Sequence, residues 1–414
     1  MYFYLGRDRL FLLQLNKAMR KIIIASAVLL SFGCLQVAAQ LNGSGYYRAQ
    51  NVSSGRYVSI MHNKSQTQII TTKADLEALH TFQSWDMVSC DPSTIVYFDY
   101  AGQGTIGGNT MDKYNLCGQG TSTYEIVQHN LGVASQSKGY QFCAQESGQL
   151  FRLGDVQSTD YTDVGNLTSN GSSSNWFWNI LPVSSTGDHY FGVKPTVTAG
   201  GKYYATMYAD FGFTPAASAS GMKVYYAEKI ADGMLIIKEI AGAVPASTPL
   251  IFLCPSESPT GNRLDIAKNE VAKPTDNILS GTYFCIDNGE SFHKDYVAYD
   301  PETMRVLGVC GDGRVGFVKR PKSDLMCKYT MFQPEVSAIP ANTAYLKVTP
   351  GTPDELPLIT AEEYAAGIDG VKVDGNFASD ILTLSGVTVR KNATSTAGLR
   401  PGVYIWNKNK IVVK

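Results

Sequence analysis

The chain has 414 residues, a formal net charge of −1 at pH 7 and 17% charged residues. This balance gives no strong field of the kind that attracts nucleic acid or an anionic membrane, so we expect no nucleic-acid partner. Apolar residues make up 44% of the chain, and its 39 Gly, 24 Tyr and 17 Phe favour short strands and turns over long helices. The composition therefore predicts an all-β protein, and the length allows roughly two or three domains.

The N-terminal residues have the layout of a secretory signal peptide. Arg20 and Lys21 precede an apolar run of about 11 residues, and Val37 and Ala39 stand three residues and one residue before a predicted cleavage site. The run is too short to cross the hydrocarbon core of a bilayer. We predict cleavage between Ala39 and Gln40, a secreted or cell-surface location, and a mature chain without an integral membrane span.

The start of the chain and the kind of signal are separate questions. Because the basic pair directly follows Met19, we assign residues 1–18 to a mis-annotated upstream extension and residues 19–39 to the signal peptide. A lipoprotein signal that uses Cys34 is the alternative.

Seven cysteines follow the signal, an odd number that leaves at least one without an intramolecular partner, and the sequence does not assign the pairs. These cysteines are Cys90, Cys117, Cys143, Cys254, Cys285, Cys310 and Cys327.

Residues 40–184 contain a faint threefold repetition. Residues 85–88, 124–127 and 178–181 each read aromatic, polar, apolar, apolar, and the strand-like stretches that open the repeats lie about 47 residues apart. Repeats of this size, each with an aromatic residue buried against its neighbours, predict a β-trefoil. We place Trp85 and Trp178 in its core, since both stand at repeat ends.

The same region resembles ricin-type β-trefoil modules. The resemblance rests on Gly45-Tyr46-Tyr47-Arg48, on Gly55-Arg56-Tyr57-Val58-Ser59 and on the Gln-x-Trp motif Gln83-Ser84-Trp85. It implies shallow sugar sites in which an aspartate binds hydroxyl groups and an aromatic ring stacks on the sugar.

Asp99 and Tyr100 are the candidate ligand-binding residues that this resemblance implies. They stand at the end of the second opening strand and before a predicted loop over residues 102–108. A purely structural role for this pair is the alternative.

Residues 186–350 are predicted to form an antiparallel β-sandwich-like domain, because short strands alternate with Gly, Asp and Asn turns without a helical period. Residues 243–248 (Ala-Val-Pro-Ala-Ser-Thr) and 338–343 (Ala-Ile-Pro-Ala-Asn-Thr) echo each other, and each phrase precedes an apolar strand. Three segments of the domain resemble a β module that is frequent in secreted proteins of type IX-secreting bacteria, and the resemblance implies no catalytic role. These segments are residues 201–206, 277–282 and 339–346.

A Pro-rich linker is predicted over residues 351–359, and residues 360–414 are predicted to form a short helix and a small C-terminal β-sheet. Thr360 and Glu363 have the spacing of a capping box at the start of the helix. A sheet of four short strands is too small to be stable alone, so we expect it to dock on something.

The C-terminal residues resemble the sorting domains of the type IX secretion system. The resemblance rests on residues 384–387, 402–407 and 410–414. It implies that the outer-membrane secretion machinery recognises the tail, through a hairpin and a basic end formed by Gly402, Tyr404, Lys410 and Lys414. A plain terminal sheet that completes the sandwich is the alternative.

Catalytic motifs do not stand out in this sequence. The chain lacks His-Glu-x-x-His, Gly-x-Ser-x-Gly and a P-loop, and none of its five histidines has a metal-ligand spacing to another. We therefore predict no catalytic residue, no metal and no cofactor. The predicted function is non-catalytic binding or adhesion at the cell exterior, with a glycan as the ligand class. A secreted glycan hydrolase or peptidase and a structural, fimbria-like subunit are the alternatives.

Overall fold

The computed structural model describes residues 41, 43–55, 57–60, 69–72, 88–117, 126–136, 138–146, 149–152, 162–163, 174–268, 271–283, 297–327, 336–366, 379–393, 395–406 and 409–413. These residues form mainly strands, which confirms the prediction of an all-β protein. The elements lie in one compact unit, Gly43–Lys414. The predicted signal peptide with Ala39 and Gln40, the Gln-x-Trp motif with Trp85, and Lys414 lie outside the described residues.

The first sheet is built by the N-terminal third of this unit. Its strand order is β10-β7-β6-β5-β4-β1-β2-β3-β9, with β8 beside β7 and a further pairing of β10 with β1. The strands are β1 (Gly45–Asn51), β2 (Tyr57–Ile60), β3 (Ile69–Thr72), β4 (Val96–Ile106), β5 (Asn109–Cys117), β6 (Ile126–Gln136), β7 (Gly139–Glu146), β8 (Gln149–Arg152), β9 (Thr162–Asp163) and β10 (Trp178–Pro182).

Because β10 pairs with both β7 and β1, six strands close into a ring in the order β1-β4-β5-β6-β7-β10. Aromatic side chains fill this ring: Trp178 is fully buried and stacks on Phe142 at a centroid distance of 5.9 Å, and Phe142 lies 5.9 Å from Phe98. A trefoil needs such a closed ring, but its threefold arrangement of hairpins stays a prediction.

The second, larger set of strands follows directly. A ten-stranded sheet has the order β12-β13-β17-β15-β16-β25-β21-β20-β24-β19, beside a three-stranded sheet β11-β18-β14 and a pair β22-β23. The strands are β11 (Phe191–Gly192), β12 (Val197–Ala199), β13 (Lys202–Met207), β14 (Gly212–Pro215), β15 (Lys223–Ala231), β16 (Met234–Glu239), β17 (Leu250–Cys254), β18 (Arg263–Ala267), β19 (Leu279–Thr282), β20 (Met304–Val309), β21 (Val315–Val318), β22 (Met326–Cys327), β23 (Val336–Ser337), β24 (Thr343–Lys347) and β25 (Glu355–Thr360).

The ten-stranded sheet consists of two halves on either side of β25. The first half has the order β13-β17-β15-β16, and the second half repeats the same arrangement from the opposite edge as β19-β24-β20-β21. The two echoing phrases of the sequence stand at equivalent places, directly before β17 and at the start of β24. Thus the sequence echo marks a structural repeat.

Strand β25 changes two expectations. Residues 355–359, which we expected in a Pro-rich linker, belong to this strand, because its buried Leu356 and Ile359 pack in the apolar core of the sheet. The strand runs parallel to β16 and antiparallel to β21, so the predicted purely antiparallel arrangement is also wrong at this position.

The ring and the second set of strands are joined through Arg48 on β1. Its guanidinium is fully buried and donates hydrogen bonds to the carbonyls of Val88, His189 and Tyr190 and to the Thr94 hydroxyl, at 2.9–3.1 Å. Burial lowers the Arg48 pKa to about 10, so the side chain stays charged at neutral pH.

The C-terminal part contains the predicted short helix and a small sheet. The helix α1 (Ala361–Ala365) starts at a capping box in which Thr360 and Glu363 bond each other's backbone N–H groups. The sheet that follows, here called the tail sheet, has the order β27-β26-β28-β29. Its strands are β26 (Ser379–Thr383), β27 (Thr388–Ala393), β28 (Gly402–Trp406) and β29 (Asn409–Val413). In the part of the chain that the structure describes, no helix has the length and apolar character needed to cross a membrane.

Candidate functional site

The predicted site residues Asp99 and Tyr100 are consecutive on β4, in the middle of the strand. Successive side chains of a strand leave opposite faces, so the two do not line one pocket. Both residues contact Ser44, whose hydroxyl donates to the Asp99 carboxylate at 3.2 Å and accepts from the Tyr100 N–H at 2.8 Å. The prediction of a loop over residues 102–108 is wrong, since β4 continues to Ile106 and only residues 107 and 108 turn.

Tyr100 is the exposed end of the aromatic core of the ring. Its side chain is 42% exposed, and its ring centroid lies 5.4 Å from that of Tyr114, which is 1% exposed. Tyr114 in turn packs edge-on against Phe98 at 6.0 Å. A buried neighbour therefore fixes the orientation of the exposed ring.

A β-bulge brings a polar pair onto the same face as Tyr100. On β4 the register advances from Tyr100 to Gln103 while on β5 it advances only from Tyr114 to Asp112, so β4 holds one extra residue. Tyr100 opposes Tyr114 and Gln103 opposes Asp112 on that face, and the Gln103 amide donates to the Asp112 carboxylate at 3.1 Å. We call Tyr100, Gln103, Asp112 and Tyr114 the Tyr100 patch.

The pKa of Tyr114 reflects its burial and its position near Asp112 in the patch. Burial, together with the negative charge of the nearby Asp112, raises the pKa of Tyr114 to about 12. Tyr114 therefore stays a neutral phenol at physiological pH. The patch offers an aromatic face, one carboxylate and one amide, which are groups that bind polar ligands by stacking and hydrogen bonds.

Asp99 lies on the outer face of the ring, among residues that join it to the rest of the unit. On the same face of β4, Tyr97 packs 4.9 Å from Tyr46, and the Lys268 ammonium lies 5.2 Å from the Tyr97 ring. Tyr46 also contacts Phe211 of the second core, at 6.3 Å. This environment favours the structural alternative for Asp99. Asp112, the acid that does accompany Tyr100, was missed because the bulge leaves no signal in the sequence.

The residues predicted for the sorting tail lie on its closing hairpin. Gly402 opposes Val413 and Tyr404 opposes Ile411 across β28 and β29, and the Tyr404 hydroxyl donates to the Arg400 carbonyl at 2.9 Å. Lys410 on β29 is exposed.

The two faces of the tail sheet differ. One face forms a small core of its own, made by Ile381, Ala393, Trp406 and Ile411. The opposite face carries the cross-strand pairs Leu382–Ile405 and Val403–Val412, none of which is buried, and Val412 is 50% exposed. We call these four residues the tail face. Three more apolar side chains of the β26–β27 hairpin are exposed: Leu384, Val387 and Val389.

Comparison with known proteins adds no identity. No family model matches the chain, and neither the curated proteins nor the solved structures include a significant match. Within the described ranges, no group of three or more His, Cys, Asp or Glu side chains could hold a metal ion.

Proposed function

We propose that the protein is an exported, non-catalytic binding protein that captures a glycan at the Tyr100 patch. The observation that carries the proposal is the exposed ring of Tyr100, fixed by buried Tyr114 and flanked by Gln103 and Asp112. The ring gives a sugar an apolar surface on which to stack, and the carboxylate and amide give its hydroxyl groups hydrogen-bond partners.

The shape of the patch supports binding over hydrolysis. The patch lies on two paired strands, and its acid, Asp112, is bonded to an amide. A glycan hydrolase needs a pair of carboxyl groups about 5–10 Å apart across the scissile bond. The trefoil architecture that the ricin-type resemblance implies is part of the same proposal, and the closed ring of six strands supports it.

A glycan array tests the proposal. The mature chain from residue 40 is screened as wild type, as Tyr100→Ala and as Val309→Ala, the last being a control at a side chain that is also 42% exposed. We expect the wild type and the control to bind the same glycans and the Tyr100 variant to lose them. An array on which the folded wild-type chain binds nothing would contradict the proposal.

We propose as a second function that the tail sheet is an export and anchoring element recognised at the outer membrane. The tail face supports this proposal, because a small sheet with one self-packed face and one open face, on which four apolar side chains lie beside Lys410, has a surface ready for a partner. The resemblance to type IX sorting domains names the partner as the secretion machinery.

Surface localisation in a bacterium with that secretion system tests the second function. The full chain carries Val412→Lys, which places a charge on the tail face, or Val309→Lys as the matched control outside the tail. We expect the first variant to remain in the periplasm and the control to reach the surface. Equal surface levels for both variants would overturn the proposal.

A further inference from the structure

Besides their shared pairing with β25, the two halves of the ten-stranded sheet meet at a polar junction. Tyr208, which follows β13 of the first half, donates its N–H to the carbonyl of Asn342 at 2.8 Å. The side-chain amide of Asn342 donates back to the Tyr208 carbonyl at 3.2 Å. Because Asn342 stands in the echoing phrase of the second half, these two bonds tie one half to the other.

A second tie runs through Ser247, which stands in the echoing phrase of the first half. The hydroxyl of Tyr283, directly after β19 of the second half, donates to the Ser247 hydroxyl at 2.7 Å. The N–H of Ser247 donates to the Ala209 carbonyl, also at 2.7 Å. The ring centroids of Tyr208 and Tyr283 lie 4.3 Å apart in a tilted arrangement, so an aromatic contact accompanies both sets of bonds.

The junction holds its backbone in conformations that ordinary residues avoid. Ser247 has φ 54° and Asn342 has φ 57°, and among the described non-glycine residues only Asp232 also has a positive φ. Residues held in this region persist where the surrounding contacts determine them. These contacts are the hydrogen bonds that join the two halves.

Asp210 lies inside this junction, and its side chain is only 9% exposed. It follows Ala209, the acceptor for Ser247, and its charge acts on the phenol of Tyr283. Burial raises the pKa of Asp210 to about 7, and a hydrogen bond from its own backbone opposes this in part.

The groups that face Asp210 do not balance its charge. From the segment after β19 the phenol of Tyr283 interacts with Asp210. This phenol in turn contacts the ring of Tyr208 and the hydroxyl of Ser247, and all three groups are uncharged. Among the described residues, no cation acts on the carboxyl group.

We propose that the protonation state of Asp210 controls how firmly the two halves of the sheet are joined. The neutral carboxyl group fits the buried junction and keeps it closed. The carboxylate needs water, which reaches it only when the segments around Tyr208, Ser247 and Tyr283 separate. The junction is therefore closed in mildly acidic surroundings and opens more often above neutral pH.

Hydrogen–deuterium exchange of the mature chain tests this inference, with rates corrected for the intrinsic effect of pH. Protection is measured at about pH 5 and about pH 8 in peptides that cover residues 203–213 and 243–250, for the wild type, Asp210→Asn and Asp324→Asn. The last variant is the matched control, because Asp324 carries its charge at the surface, 3.7 Å from Arg320.

We expect wild-type protection in these two peptides to be about a hundredfold lower, and at least tenfold lower, at the higher pH than at the lower pH. Protection of β15 and β16 should not change. Asp210→Asn should show equal protection at both pH values, and Asp324→Asn should behave as the wild type. Wild-type protection that does not change with pH, or a fall that survives in Asp210→Asn, would overturn the inference. If Asp210→Asn does not fold, the carboxyl ¹³C shift of Asp210 in the wild type decides: titration in step with the loss of protection supports the inference, and titration apart from it overturns it.

Discussion

The exposed ring of Tyr100 packs 5.4 Å from the buried ring of Tyr114, and this contact links the surface of the six-stranded ring to its aromatic core. The free energy cost of ordering an aromatic side chain on ligand binding is reduced when a neighbour already holds it.

Replacement of Tyr100 by Ala should change stability little. The side chain is 42% exposed, so its removal costs roughly 1 kcal/mol in the free energy of unfolding, mainly from the loss of the tilted ring contact with Tyr114. Urea denaturation checks this value. A loss above about 3 kcal/mol would show that Tyr100 is a core residue and that the patch is not an exposed binding surface.

Replacement of Arg48 should be among the most damaging changes in the chain. Its buried guanidinium bonds Thr94 and three carbonyls, so Arg48→Ala leaves several buried acceptors without donors and should cost at least about 3 kcal/mol. Arg48→Lys should also destabilise, because one ammonium cannot reproduce the planar fork. Thermal unfolding measures both, with the exposed Arg400→Ala as the control. A melting temperature of Arg48→Ala equal to that of the control would contradict the joining role of Arg48.

Gly281 should not tolerate alanine. A Cβ atom there would clash with the ring of Tyr208, so Gly281→Ala must push this ring out of the junction. We expect a loss of about 1–3 kcal/mol in the free energy of unfolding. Gly187→Ala is the control, since the nearest atom to its added Cβ would be 3.7 Å away. Similar denaturation midpoints for the two variants would count against the close packing of Tyr208.

The stability of the chain should carry a pH-dependent contribution from Asp210. The folded-state pKa of about 7 lies above the ordinary value of 3.8, so the folded state holds the proton more tightly than the unfolded state. This contribution is fully present below about pH 4, falls as the pH rises to about 7, and amounts to as much as about 4 kcal/mol. Asp210→Asn should remove this slope. The difference between the urea midpoints at about pH 5 and pH 8 measures this slope. The same difference in the variant and the wild type would refute the assignment of the slope to Asp210.

Cys254 should be inert in the folded protein. Burial raises its pKa to about 12, and the thiol forms no disulfide, so almost no reactive thiolate exists at pH 8. We expect alkylation by iodoacetamide, located by mass spectrometry, only after unfolding in urea. Rapid labelling of Cys254 in the native protein would show that this part of the core is accessible.

Several features of the fold were readable from the residues themselves. The echo of residues 243–248 and 338–343 marks two equivalent places in the sheet, and the spacing of Thr360 and Glu363 gives the helix cap. Local chemistry decides such features, because proline fixes φ and a threonine hydroxyl reaches the N–H three residues on.

Other features depend on pairing partners that are distant in the sequence. The prolines near residues 350–357 indicated a linker, yet the segment from Glu355 to Thr360 fills the gap between the two halves of the sheet. The polar neighbours of Tyr100 depend on pairing for the same reason: the bulge that aligns Gln103 with Asp112 exists only in the pairing of β4 with β5. The sequence neighbour of Tyr100 is Asp99, whereas the acid and the buried ring on its own face, Asp112 and Tyr114, come from β5.

The most direct measurement of the central claim is the affinity of the mature chain for the strongest glycan found on the array, determined by calorimetric titration of four proteins. These are the wild type, Tyr100→Ala, Asp112→Asn and Asp99→Asn. We predict that Tyr100→Ala and Asp112→Asn each weaken binding by about tenfold or more, the loss expected when one stacking or charged hydrogen-bonding group is removed, while Asp99→Asn binds as the wild type does. Equal affinity in all four proteins, or a loss only in Asp99→Asn, would contradict binding at the Tyr100 patch.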